Sequence, residues 1–374
     1  MKKIISLKWA NGFIFVIAMW LLSRLVIVVT MQLIAPLLPF EPVNLPGWNL
    51  GLVPNFVPKI GWELFSHWDG AWYRKIATLG YDYGNDGKYH SIAFFPFFPL
   101  VTRGVMVLGL PFEVAGTLVN NLALLGAMLL LYRWAQECYG ISAARWATAV
   151  LAWCPFSLFG TVTYTEGLFL LLTTASLRAF DNRQHTMAAL FGALATATRP
   201  TGAALVPAFL LVAWREGRPA VAYVAALAAG GGLFLFSVYC AIRFGEPLAF
   251  VHVQGAWYDP NTNWLSIVAG VFTWERKTNL IPVVMVFGGA YLLWHLRAKL
   301  PPVAVAYGFC SLALIITSGV LMSVSRFAYA IVSLSLALGV LFASHPRWGY
   351  LTMGLFGILL VHFAIKFTWW QFFA

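Results

Sequence analysis

Ser66-His67-Trp68-Asp69-Gly70-Ala71-Trp72-Tyr73-Arg74-Lys75-Ile76-Ala77-Thr78-Leu79-Gly80-Tyr81 reads as a helix lying flat in a membrane interface. Trp68, Trp72, Ile76 and Leu79 recur at helical spacing and make one apolar stripe, with Arg74, Lys75 and Thr78 turned away. Ser66 is placed to cap that helix, and Asp69, three residues on, completes a variant capping box. A second reading of Asp69 stands beside the first: a helix N-terminus and nearby arginines keep it ionised next to the membrane, where it can take a proton from a hydroxyl. The segment that follows, Phe94-Phe95-Pro96-Phe97-Phe98-Pro99, carries two prolines that exclude regular helix and rings suited to headgroup depth.

Around this stretch the chain is overwhelmingly apolar. Of 374 residues, 61% are hydrophobic and 10% charged, against roughly 25% charged in soluble domains, so lipid must be the solvent for most of the surface. The formal charge of +11 is carried by basic residues scattered singly between apolar runs, a pattern that points to membrane topology and away from nucleic acid. Cys138, Cys154, Cys240 and Cys310 show no CxxC or Cys/His spacing and read as packing residues. The lysine-led start runs into apolar Phe13 to Thr30, too long for a secretion signal and without a small-x-small cleavage site, so an uncleaved first span is expected.

Runs near the ~20 residues needed to cross a bilayer fall at about 10–34, 115–134, 143–162, 165–181, 219–242, 280–296, 302–322, 327–344 and 348–366. Residues 186–214 are interrupted by Arg199-Pro200-Thr201-Gly202 and read as two short helices meeting there. The expectation is one all-α polytopic domain over 1–374, with about eleven membrane helical segments. Lys2, Lys3, Lys8, Arg133, Arg145, Arg178, Arg183, Arg215, Arg218, Arg297, Lys299 and Arg347 mark the cytoplasmic face. The first long loop, 36–114, and the second, 244–279, then lie outside, provided residues 96–110 rest at the interface or re-enter.

In this order the motifs resemble the PIG-V family of mannosyltransferases and its prokaryotic relatives, within the GT-C superfamily. The likeness rests on Trp68-Asp69-Gly70-Ala71-Trp72-Tyr73, Ile76-Ala77, Gly80-Tyr81 and Ala93-Phe94-Phe95-Pro96, then Asn120-Asn121, Tyr164-Thr165-Glu166-Gly167 and Thr198-Arg199-Pro200-Thr201-Gly202. It continues through Phe244-Gly245-Glu246-Pro247-Leu248-Ala249-Phe250 and Ser325-Arg326-Phe327. The resemblance implies a membrane enzyme that takes a hexose, mannose first, from a polyprenyl- or dolichyl-phosphate donor, with an acidic residue early in the first external loop as general base. Asp69 is the matching position. Short loops and the lysine-led start favour a prokaryotic plasma membrane with the site extracytoplasmic; a eukaryotic relative would face the endoplasmic reticulum lumen. A glycolipid, a glycan or a protein can each serve as acceptor.

A lipid-phosphate sugar is already activated, so the chain needs one base and one or two arginines to orient the acceptor hydroxyl and stabilise the leaving phosphate. Direct attack inverts the anomeric centre. Arg199 is the first candidate for the phosphate, at a helix break where Pro200 can start the next helix; Arg326 is the second, with a headgroup anchor as its other reading. Tyr164, Glu166, His90, Trp72 and Tyr73 are candidates for donor contact, Glu166 being equally explicable as a carboxylate favoured by a helix dipole. His67, Asn120, Asn121, His252, Gln254 and Trp257 are candidates for the acceptor or the cavity wall, and the asparagines can instead glue helices together. Asp82, Asp86, His67 and His90 are close in sequence but match no ligand motif, so no metal and no other cofactor is expected. The rival reading, a lipid or solute transporter built on the break at Arg199-Pro200, predicts pseudo-symmetric halves that the sequence does not display.

Overall fold

A computed structural model of the chain describes residues 2–38, 58–258, 263–272, 280–318 and 323–371, and among them every regular element is helical. The elements are α1 (Lys2–Val29), α2 (Asp69–Leu79), α3 (Phe97–Met106), α4 (Phe112–Trp153), α5 (Glu166–Asp181), α6 (His185–Thr198), α7 (Leu205–Arg215), α8 (Ala220–Ala228) and α9 (Gly231–Phe244). They continue as α10 (Ala249–His252), α11 (Trp264–Phe272), α12 (Leu280–Val283), α13 (Gly289–Leu296), α14 (Pro302–Thr317), α15 (Val324–Tyr329), α16 (Val332–Ser344) and α17 (Pro346–Thr368). Parts of both expected external loops, 39–57, 259–262 and 273–279, and residues 319–322 at the end of one expected span, lie outside the described residues.

α4 is the centre, packed against α1, α5 and α16, while α6 lies between α5 and the α8–α9 pair. The expected spans 115–134 and 143–162 both begin within α4, which is two helices meeting at Gly140 (φ 84°, ψ −179°), a conformation only glycine adopts without strain. Small residues let the helices approach closely: a Cβ on Gly339 of α16 would sit 2.5 Å from the Ala147 side chain. Outward faces stay apolar, with Phe13, Ile14 and Leu25 on α1, Phe234 and Leu235 on α9 and Leu351 and Ile358 on α17 all exposed. Lipid is the solvent that such faces require.

Helices stand at each expected span, but the count of about eleven crossings is not established. Three are long and apolar enough to cross: Asn11–Leu37, Phe112–Trp153 and Pro346–Thr368. The pair α8 and α9, bent by 44°, makes a fourth if it is one span. Others are short: the 16 residues of α14 extend about 24 Å, less than the roughly 30 Å of a hydrocarbon core.

Three local expectations are corrected. The buried residues of α2 are Gly70, Tyr73, Ile76 and Ala77, so of the expected stripe Trp68 and Ile76 are buried while Leu79 is exposed, because α2 leans on α3 and α4 inside the protein. Phe97 opens α3, with Pro96 before it and Pro99 in its first turn, where a missing N–H costs nothing. At ten residues α3 is too short to cross. Cys138 is exposed rather than packed, whereas Cys154 and Cys240 are buried.

Candidate active site

Asp69 begins α2, and the residue before it is backbone-strained. Trp68 sits at φ 54°, ψ −116°, a region that costs a bulky residue about 1–3 kcal/mol and gathers at functional sites. Ser66 does not cap the helix; its Oγ lies 3.1 Å from Thr163 Oγ1, and no side chain caps α2 at all. The Asp69 carboxylate is therefore free of the capping role and pairs across the fold instead, Oδ2 lying 2.6 Å from Arg326 Nη1. Its backbone N–H donates to the Tyr164 hydroxyl at 3.2 Å.

Arg326 belongs to α15 and continues the chain of charges. Its Nε faces Glu166 Oε1 at 3.2 Å, and the same oxygen accepts from Arg199 Nη1 at 2.5 Å. Arg199 is held at the break between α6 and α7 in extended conformation (φ −151°, ψ 143°), as a residue before proline prefers, and Pro200 opens the 3-10 turn Pro200–Ala204. Rings frame both guanidiniums: Arg326 lies 5.0 Å from Tyr164 and 5.4 Å from Phe159, and Arg199 lies 5.0 Å from Phe327. Two cations and two anions sum to zero, which is how buried charges are tolerated. Glu166 is fully buried, the arginines nearly so, and the Asp69 side chain is 25% exposed.

A cavity of about 320 Å³ opens against this row. Asp69, Arg199 and Arg326 line it together with Trp72, Tyr73, Gln254 and Trp257. Its other wall is aromatic: Phe94 stacks on Trp72 at 5.8 Å and meets Trp257 edge-on at 6.0 Å. A carboxylate, two guanidiniums and a ring-lined wall can bind an anion, stack a sugar and accept a proton at one place.

The remaining candidates lie elsewhere. Tyr164 and Glu166 sit behind the cavity wall and support it. Asn120 donates to the Phe159 and Val162 carbonyls, both at 2.7 Å, and accepts from Gly167 N–H at 2.7 Å; Asn121 donates to Thr117 and Thr161 carbonyls, so both join helices rather than face the cavity. His67 is buried, its ring stacked 4.0 Å from Trp370 and its Nδ1 2.9 Å from the Phe367 carbonyl; burial pushes the imidazole down to about 4. His252 is exposed, 3.9 Å from Glu246.

His90 is clamped in the loop between Asp82 (3.1 Å) and Asp86 (2.8 Å), with Lys75 3.0 Å from Asp82. Burial works against charge there, but hydrogen bonds from Ser91, Lys75 and His90 hold the Asp82 carboxyl well below the carboxylate range, and the two aspartates push His90 up. No group of three or more His, Cys, Asp or Glu among the described residues could hold a metal ion. Sequence reasoning missed Ser318, Ser323 and Phe250 in the cavity wall; Ser323 precedes the Ser325-Arg326-Phe327 motif by two residues, a signal that was available.

The family model of the mannosyltransferases (PIG-V) matches residues 12–214. No curated protein matches the sequence. ArnT from Cupriavidus metallidurans bound to undecaprenyl phosphate is similar in structure, with TM-score 0.55, 18% identity, and coverage of 91% of this chain and 62% of that one. The oligosaccharyltransferase of Archaeoglobus fulgidus in the apo form is similar at TM-score 0.52 and 13% identity, over 96% of this chain and 56% of that one. The chain thus spans about six-tenths of the length of these solved proteins, and at such identities they speak for the GT-C fold alone. The matched segment is more than half the chain and contains Asp69, Glu166 and Arg199, and on that ground the chain belongs to the mannosyltransferase (PIG-V) family.

Proposed function

We propose that the protein transfers a hexose, mannose by family, from a polyprenyl-phosphate-linked donor to an acceptor hydroxyl, with Asp69 as general base. The observation that carries this reading is the convergence of Asp69, Arg199 and Arg326 on one cavity, with Asp69 and Arg326 2.6 Å apart. Arg199 and Arg326 bind the donor phosphate, each having guanidinium N–H groups beyond those engaged with Glu166 and Asp69. The Trp72, Phe94 and Trp257 rings stack the sugars.

Asp69 accepts the proton of the acceptor hydroxyl as its oxygen bonds to the anomeric carbon. The bond from that carbon to the phosphate oxygen breaks, and the lipid phosphate leaves with the electron pair, its charge met by the two arginines. One displacement at one carbon inverts its configuration. The cavity lies by the N-termini of α2 and α5 and the C-terminus of α6, whereas Arg178, Arg183, Arg215 and Arg218 lie at the other ends of these and adjoining helices. That asymmetry favours an extracytoplasmic site in a prokaryotic plasma membrane. A transporter using the break at Arg199 is disfavoured by the match to a family of mannosyltransferases.

The test is Asp69→Asn. The variant should fold and bind a lipid phosphate but transfer no sugar from a polyprenyl-phosphate-mannose donor in membranes; transfer at the wild-type rate would remove Asp69 from the chemistry.

A further inference from the structure

Of the four charged side chains, Glu166 alone does not reach the cavity. Its Oε1 serves both guanidiniums, at 2.5 Å to Arg199 and 3.2 Å to Arg326, and its Oε2 is buried with no hydrogen-bond partner among the described residues. A carboxylate so placed cannot touch a ligand, yet its charge decides what the cavity offers one. With Glu166 the cluster is neutral; without that charge it carries one positive charge in excess.

The two lipid phosphates that such a site must handle differ in charge. A sugar-bearing donor is a phosphodiester with one negative charge. The lipid phosphate left after transfer is a monoester that approaches two near neutral pH, its second ionisation lying near pH 6. One unit charge acting over about 7 Å at an effective dielectric of about 20 changes affinity by up to roughly 50-fold, and by less where solvent screens it, so a positively charged cluster would hold the product far harder than the donor.

We propose that Glu166 is a specificity-determining residue that acts through Arg199 and Arg326: by cancelling one guanidinium charge, it keeps the cavity from retaining the phosphate monoester and lets a fresh phosphodiester donor replace it. The assignment rests on the lipid-phosphate reading given above and adds the discrimination between donor and product to it.

The experiment is equilibrium binding to the full chain in lipid nanodiscs, with farnesyl phosphate and its methyl phosphodiester as probes. Glu166→Gln should raise the ratio of monoester to diester affinity about tenfold at neutral pH, and the increase should shrink at about pH 5, where the monoester keeps one charge. Glu166→Asp, which retains the carboxylate, should leave the ratio at its wild-type value although both affinities fall. Loss of packing alone moves both probes together, so an unchanged ratio in Glu166→Gln overturns the assignment. Should Glu166→Gln not fold, Asp69→Asn removes the same charge from the cluster and should raise the ratio in the same direction; no change there overturns it equally. Wild-type protein that binds neither probe defeats the lipid-phosphate reading and the Glu166 assignment with it, whereas wild-type binding with an insensitive ratio defeats the Glu166 assignment alone.

Discussion

Arg199→Ala and Arg326→Ala delete the same charge from the same cavity, yet their places in the cluster make them unequal. Arg199 is paired with Glu166, whereas Arg326 is paired with both Glu166 and Asp69. Truncating Arg199 takes its 2.5 Å hydrogen bond from the fully buried Glu166 and leaves it the charge contact with Arg326 at 3.2 Å, while Asp69 keeps Arg326 at 2.6 Å. What is lost is one charge-assisted hydrogen bond or more to a docked phosphate, about 1.5–3 kcal/mol each, or a 10- to 150-fold weaker binding of farnesyl phosphate per bond. Truncating Arg326 strips Asp69 of its 2.6 Å partner and leaves Glu166 only Arg199. Removing one partner of a buried pair costs about 3–5 kcal/mol, and less here because the Asp69 side chain is 25% exposed. Binding measured with farnesyl phosphate and unfolding followed by tryptophan fluorescence in the same detergent separate the two effects. Both variants should lose affinity and Tm, and Arg326→Ala should lose more Tm because it takes a partner from two carboxylates while Arg199→Ala takes one from Glu166 alone. Wild-type affinity in Arg199→Ala, or a Tm lower than that of Arg326→Ala, refutes the reasoning.

Asn120→Ala should lower stability by about 2 kcal/mol or more, read as a fall in Tm, because it strands the buried Phe159 carbonyl and the Gly167 N–H, both bonded at 2.7 Å, while the Val162 carbonyl keeps the Tyr164 N–H. A variant as stable as wild type would show that these groups find other partners. For His90 the sign follows from its raised folded value: its contribution is complete below the ordinary imidazole value of 6.5 and fades as pH rises through the folded one. The Tm gap between wild type and His90→Gln should accordingly be larger at about pH 6 than at about pH 9. A gap that is constant or grows with pH contradicts the clamp between Asp82 and Asp86.

The all-helical character and the break at Arg199 were legible because both are written in local terms: long apolar runs, and a proline whose predecessor must be extended. Arg199 was singled out because a charge at membrane depth needs a reason, and Asp69 and Arg326 because they open a helix and a span within motifs that resemble those of the family. Their mutual pairing was not legible, since residues 69 and 326 meet across 257 positions and no periodicity encodes that. The face of α2 was misread for a related reason. A stripe through Trp68 and Leu79 is apolar, but the side that docks is chosen by α3 and α4, and Trp68 lies outside the helix with a backbone no propensity anticipates. Crossing number was not legible, because apolarity does not tell lipid-facing residues from those buried against other helices.

Arg24 shows why pairing, rather than burial, marks the arginines that face a ligand. Placed in the first span, it is as buried as Arg199 and Arg326, and the sequence offered the same reason to suspect it. Its Nη1 donates to the Ser157 carbonyl at 2.9 Å, and its Nη2 to the Ala152 carbonyl at 3.0 Å and to Ser157 Oγ at 2.9 Å. These acceptors include a carbonyl from the last turn of α4, whose partial negative charge a cation satisfies. Neutral backbone oxygens cannot leave, and an anion arriving at Arg24 would have to strand them inside the protein. Arg199 and Arg326 line the cavity and are held by carboxylates through only part of each guanidinium, so the remaining N–H groups can receive one anion after another while the ion pairs stay made. Exchange of anions at fixed cations is what a site that receives a phosphodiester and releases a phosphate monoester requires, and of these three buried arginines only the two on the cavity are held in a way that permits it.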